Sequence, residues 1–124
     1  MDRFLLISLG AIFGANARYW VGDWAAQRFG TSFPMGTLII NVTGSFALGL
    51  FLTIATERFL LDPRWRLVVA IGFLGGYTTF SSYTYESVNL LLTGQWFPGL
   101  LNLFGGAMLG AVAAVGGIIL GRWV

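Results

Sequence analysis

Apolar residues fall into four long blocks separated by short polar joints. They cover 4–24, 35–56, 67–93 and 97–121, and two of them, 35–56 and 97–121, contain no charged residue. A helix that crosses a bilayer needs roughly 20 mostly apolar residues, so each block predicts one membrane span. Pro34, Pro63 and Pro98 stand at the joints, where a missing N–H is cheapest. The joints are short, so consecutive spans are expected to be antiparallel neighbours. No sequence is left for an extramembrane unit, and residues 1–124 read as one all-α, four-span membrane domain.

The third block departs from this plain pattern. Gly75-Gly76-Tyr77-Thr78-Thr79-Phe80 sets two glycines and two β-branched threonines at mid-span, where helix propensity is poor. A helix break at membrane depth survives only where protein or a water-filled cavity satisfies the freed backbone. The pattern predicts one half-helix from Leu67 to Gly75 and another from Phe80 onward.

Composition strengthens the membrane reading. Of 124 residues, 56% are hydrophobic and 10% charged, against about 25% charged in average soluble domains. Mean hydropathy is +0.78. The chain has no cysteine and no histidine, which excludes disulfides, thiolate metal sites, histidine switches and Ser-His-Asp chemistry. A net charge of +2, carried by scattered arginines, does not build a nucleic-acid face. Arg3, Arg58, Arg64, Arg66 and Arg122 share one side of a four-span plan, with Arg28 near the other. The positive-inside rule then predicts cytoplasmic termini.

Few polar residues remain inside the spans, and each has a bland and a functional reading. Carbonyls of a half-helix ending near Gly75 suit a small hard cation, and Thr78 and Thr79 are natural N-caps of the next half-helix; a packing kink with satisfied backbone is the alternative. Phe80 and Tyr83 share a helical face continued by Glu86 and Ser87. Such a face is either packing or, because aromatic edges are electropositive, a weak anion path with the hydroxyls of Thr79, Ser81 and Ser82. Thr37, Asn41, Gly44 and Ser45 share one face of the second span. Asn41 is either an interhelical hydrogen bond or an N–H donor to an anion. Arg18 snorkels, pairs with a carboxylate or draws anions to a pore mouth. Glu86 is a structural acid, a vestibule charge or a proton carrier. Asn102 lies on a stripe with Gly106 and Gly110.

Taken together, three motifs resemble one family. Gly14-Ala15-Asn16-Ala17-Arg18-Tyr19, Gly36-Thr37-Leu38-Ile39-Ile40-Asn41 and Gly75-Gly76-Tyr77-Thr78-Thr79-Phe80-Ser81 are similar, in order and one per span, to motifs of the Fluc/CrcB fluoride channels. The resemblance implies an antiparallel dimer of four-span subunits, inserted in both orientations, in the inner membrane of a prokaryote. It implies two pathways along the subunit interface for passive, selective export of F⁻, with no enzymatic step. A central structural Na⁺ would be held by the backbone carbonyls of Gly75 and Thr78. The fluoride pathway would use Asn41, Phe80, Tyr83, Thr37, Thr79, Ser82 and Asn102, with Arg18 and Glu86 in vestibule or structural roles. Tyr83 stands where the family usually has Phe, and Asn102 stands in for hydroxyls on the fourth span. The subunit would pair with a second copy of itself or with an oppositely oriented paralogue. The competing expectation is a small proton-coupled multidrug transporter using Glu86.

Overall fold

A computed structural model describes residues 2–124. Helix α1, Asp2–Phe29, runs through Arg18 and past the expected end of the first span. Gln27 donates to Asp23 at 2.8 Å across one turn of that extension, and Gly30, at φ 79°, takes the left-handed conformation that ends helices. Helix α2, Met35–Arg58, begins after Pro34 and widens into a π-helical turn over Ile54–Arg58. Helix α3, residues 63–77, starts with Pro63 at its first position, and the Asp62 carboxylate accepts from the Arg64 N–H at 2.9 Å. Helix α4 is Phe80–Leu92, capped by Thr79. Helix α5, Trp96–Trp123, holds Pro98 in its first turn and a π-helical turn over Leu101–Gly105.

Three of these, α1, α2 and α5, are long and apolar enough to cross a membrane. The third predicted span is divided, but at the threonines alone: Gly75 and Gly76 stay helical, and the first piece runs from Pro63 to Tyr77 rather than from Leu67 to Gly75. Thr78 (φ −77°, ψ 156°) and Thr79 (φ −148°, ψ 114°) are extended between α3 and α4, and neither piece reaches the roughly 20 residues of a full crossing.

The two pieces serve different partners. Helix α3 packs along α1, while α4 packs against the start of α5; α2 and α5 form the other large contact. Glycines set these approaches. A methyl group on Gly10 or Gly14 would run into the backbone carbonyls of Val68 and Phe73, and one on Gly117 into that of Phe46. Small residues at such crossings let backbones meet without side chains between them. At one end, Arg122 grips Glu57 through Nε at 3.0 Å and Nη2 at 3.2 Å, and Arg58 donates to the Val124 carbonyl at 2.8 Å. Both contacts tie α2 to α5.

Buried apolar side chains are few: Ala25, Ile40, Ala55, Leu74 and Leu90. Large ones such as Phe4, Phe13, Trp20, Phe80 and Phe97 are exposed. A surface so apolar belongs against lipid or another subunit.

The glycine contacts give a stability prediction. Gly14→Val forces a branched side chain into the Phe73 backbone, which cannot yield as a flexible side chain would. A cost of about 3 kcal/mol or more is expected. Thermal unfolding in detergent should show a strong loss of melting temperature, and an unchanged value would refute close α1–α3 backbone packing.

Candidate functional site

The site grows from the break between α3 and α4. The Asn41 side chain on α2 meets the backbone of Thr79 in two directions. Its Nδ2 donates to the Thr79 carbonyl at 2.9 Å, and the Thr79 N–H donates to its Oδ1 at 2.8 Å. One amide thus replaces the neighbouring strand or helical turn that an extended residue lacks. The Thr79 hydroxyl in turn accepts from the Ser82 N–H at 3.2 Å and lies 3.1 Å from the Ser82 hydroxyl, which caps α4.

These two diversions have a consequence for the carbonyls. In an unbroken helix the N–H of Thr79 would serve Gly75 and that of Ser82 would serve Thr78. Asn41 has taken the first and Thr79 Oγ1 the second. The carbonyls of Gly75 and Thr78 therefore lose their ordinary partners, and hard carbonyl oxygens at the C-terminal end of a helix are the donor type a small monovalent cation takes. The Gly76 carbonyl between them has a different fate: Arg18 Nε donates to it at 3.2 Å. Arg18 thus ties α1 to the end of α3 with a cation suited to that pole.

Two cavities meet at Thr79. A groove of about 470 Å³ is lined by Asn41, Ser45, Thr78, Thr79, Phe80 and Tyr83, with Gly106 and Gly110 opening the α5 side. A second cavity of about 440 Å³ is lined by Arg18, Asp23, Thr37, Thr79, Ser82 and Glu86. The residues expected to form one line are therefore divided. Asn41, Phe80 and Tyr83 wall the groove, Thr37 and Ser82 wall the second cavity with Arg18 and Glu86, and Thr79 belongs to both. Within the second cavity the Thr37 hydroxyl donates to Glu86 Oε1 at 2.6 Å.

The Phe80 and Tyr83 rings lie with centroids 5.8 Å apart and planes tilted by 52°. Tilted neighbours direct electropositive edges and electronegative faces differently into one space. Asn41 has a second N–H beyond the one given to Thr79, and it sits on the groove wall.

Asn102 is elsewhere. It is 2% exposed and does not line the groove. Its Nδ2 donates to Ser87 Oγ at 2.8 Å, and the Ser87 hydroxyl donates to the Tyr83 carbonyl at 2.8 Å. The Tyr83 hydroxyl donates to the Leu103 carbonyl. The helical stripe places Asn102 with Gly106 and Gly110; in the structure Asn102, inside the π-helical turn Leu101–Gly105, lies against Ser87 of α4, while Gly106 lies against the Tyr83 ring. A widened turn of this kind has no plain sequence signal. Sequence reasoning also missed the 2.9 Å hydrogen bond between the Thr43 and Tyr77 hydroxyls, which joins α2 to α3 beside the break.

Residues 5–118 match the family described as CrcB-like protein, Camphor Resistance (CrcB). A relative from Chloroflexus aurantiacus, named fluoride-specific ion channel FluC, is 48% identical over 123 residues, covering 99% of this chain and 98% of its own length. One of the same name from Koribacter versatilis is 55% identical over 107 residues, covering 86% and 81%. Another from a Sulfurihydrogenibium species is 45% identical over 122 residues, covering 98% of both chains.

Proposed function

The chain belongs to the CrcB-like family, and from that premise we propose that it is a fluoride-selective channel giving passive export of F⁻. It is a multi-pass membrane protein, and the proposal includes the inner membrane of a prokaryote as its location. The observation that carries this reading is the groove beside the broken helix. It is lined by Asn41, Ser45, Thr79 and the Phe80–Tyr83 pair. Several weak donors in series suit conduction, which needs binding strong enough to admit an ion and weak enough to release it.

The division of the site gives the path an order. Among the described residues of the second cavity Arg18 is the one positively charged group, set beside the Asp23 and Glu86 carboxylates, and it is the group there that attracts an anion. Thr79 lies on the shared wall, and the groove with Asn41 and the two rings follows. Fluoride is the small, strongly hydrated halide, so short N–H and O–H donors in a narrow space favour it over chloride. Fluoride enters cells as neutral HF and is trapped as the ion, and a passive exit for F⁻ relieves that accumulation.

The proposal includes assembly as an antiparallel dimer of four-span subunits, in which α3 and α4 together make the third crossing. Phe80 is 77% exposed in the single chain and the groove is open on one side, so a second subunit completes the wall. Two copies meeting at their breaks would bring the free carbonyls of Gly75 and Thr78 together, and these fit a structural Na⁺. Such an ion would supply positive charge where carbonyl dipoles converge. The Arg122–Glu57 pair lies away from this surface and is a structural tie within the subunit.

Proteoliposomes loaded with fluoride test the function. Purified protein should release fluoride without ATP or a proton gradient once a potassium ionophore relieves the charge, and chloride-loaded vesicles should stay full. No fluoride release from folded protein, or equal release of chloride, would overturn the proposal.

A further inference from the structure

Adjacent residues of α5 reach Tyr83 directly at its hydroxyl and, through Ser87 of its own helix, at its backbone. Its hydroxyl donates to the carbonyl of Leu103. Its own carbonyl accepts from Ser87, which accepts in turn from Asn102 at 2.8 Å. Ser87 is fully buried and Asn102 is 2% exposed, so water does not compete for these bonds. Among the described residues no buried side-chain N or O lacks a partner, so the chain of bonds is closed. Gly106 completes the seat: a methyl group there would come within 2.8 Å of the Tyr83 ring.

We propose that Ser87, Asn102 and the Leu103 carbonyl form a two-point clamp that fixes the Tyr83 ring in the groove, making the Tyr83 hydroxyl a positioning group rather than a fluoride donor. A phenol has one proton. Given to Leu103, it is not available to an ion in the groove. What the ion meets is the ring, at an angle the clamp sets against Phe80. Asn102 and Leu103 both belong to the π-helical turn Leu101–Gly105. A π turn often marks a functional position in this way. The inference rests on the channel reading for its consequence, though the clamp itself stands on geometry alone.

The test uses the full-length protein in vesicles at low protein density. There, the fraction of vesicles that empty reports folded channels, and the rate constant reports conduction. Tyr83→Phe keeps the ring and removes one tie. Ser87→Ala removes the other, and Ser87→Ala/Asn102→Leu removes it without stranding the amide. Each tie removed should slow efflux by about fivefold, the worth of one buried neutral hydrogen bond. The half-saturating fluoride concentration and the exclusion of chloride should not change. Combining Tyr83→Phe with Ser87→Ala/Asn102→Leu should slow efflux less than the product of the separate effects, because a ring already free at one end gains little freedom from the second loss.

A rise in half-saturating fluoride or leakage of chloride in Tyr83→Phe would make the hydroxyl an ion ligand and overturn the proposal. An unchanged rate, or a loss confined to the fraction of active vesicles, would overturn it too. If the unsubstituted protein moves no fluoride, the channel reading fails separately. The clamp is then judged by melting temperatures in detergent: losses that do not add support it, and additive losses overturn it.

Discussion

Asn41→Asp is expected to reduce fluoride efflux by about 100-fold or more, the cost of losing one buried bond and making another repulsive. The substitution is nearly isosteric, so packing is preserved. Its chemistry is reversed at one atom. The Nδ2 that donates to the Thr79 carbonyl at 2.9 Å becomes an oxygen facing an oxygen. The other oxygen still accepts from the Thr79 N–H, so the clasp is half kept and half opposed. A carboxylate on the groove wall also repels an anion, and it does so where water screens poorly. Vesicle efflux checks the rate, and size-exclusion behaviour checks assembly. Efflux within tenfold of the unsubstituted protein would show that the clasp does not govern the path.

Phe80→Ile is expected to suppress efflux by at least about 30-fold, by removing the aromatic edge and face from the groove. Its diagnostic value lies in what should not change. Phe80 is 77% exposed in the single chain, so the subunit loses little buried area on substitution. Ile is large enough to line the same wall but has no electropositive edge. The protein should therefore purify and melt as before while conduction falls. Loss of flux through unfolding, or retention of flux with normal folding, would remove Phe80 from the path.

These expectations depend on contacts of different sequence range, and that range explains which features are legible in the sequence. The membrane solvent follows from long apolar blocks with little charge. The break falls at Thr78 and Thr79, just after two glycines that stay helical, and the poor helix propensity of this run is local chemistry. Thr79 as the cap of α4 is similarly local, because its hydroxyl reaches the Ser82 N–H three residues on. Helix α1 ran longer than hydrophobicity indicated, since its last turns are held by helical hydrogen bonds and the Asp23–Gln27 contact rather than by lipid.

The division of the site was not open to such reasoning. Thr37 and Asn41 are one turn apart on α2, yet they line different cavities. Thr37 meets Glu86 across 49 positions and Asn41 meets Thr79 across 38. Asn102 shares a stripe with Gly106 and Gly110, yet its amide is spent on the buried Ser87 hydroxyl and it does not line the groove. The sequence by itself determined the solvent, the place of the break and the residue types around it, because hydropathy and helix propensity act over a few neighbours. The tertiary structure alone decided which side chain takes the Thr79 N–H, which side chains share a wall and which carbonyl receives the Tyr83 proton. Those depend on how whole helices dock, where a shift of an ångström makes or breaks a hydrogen bond.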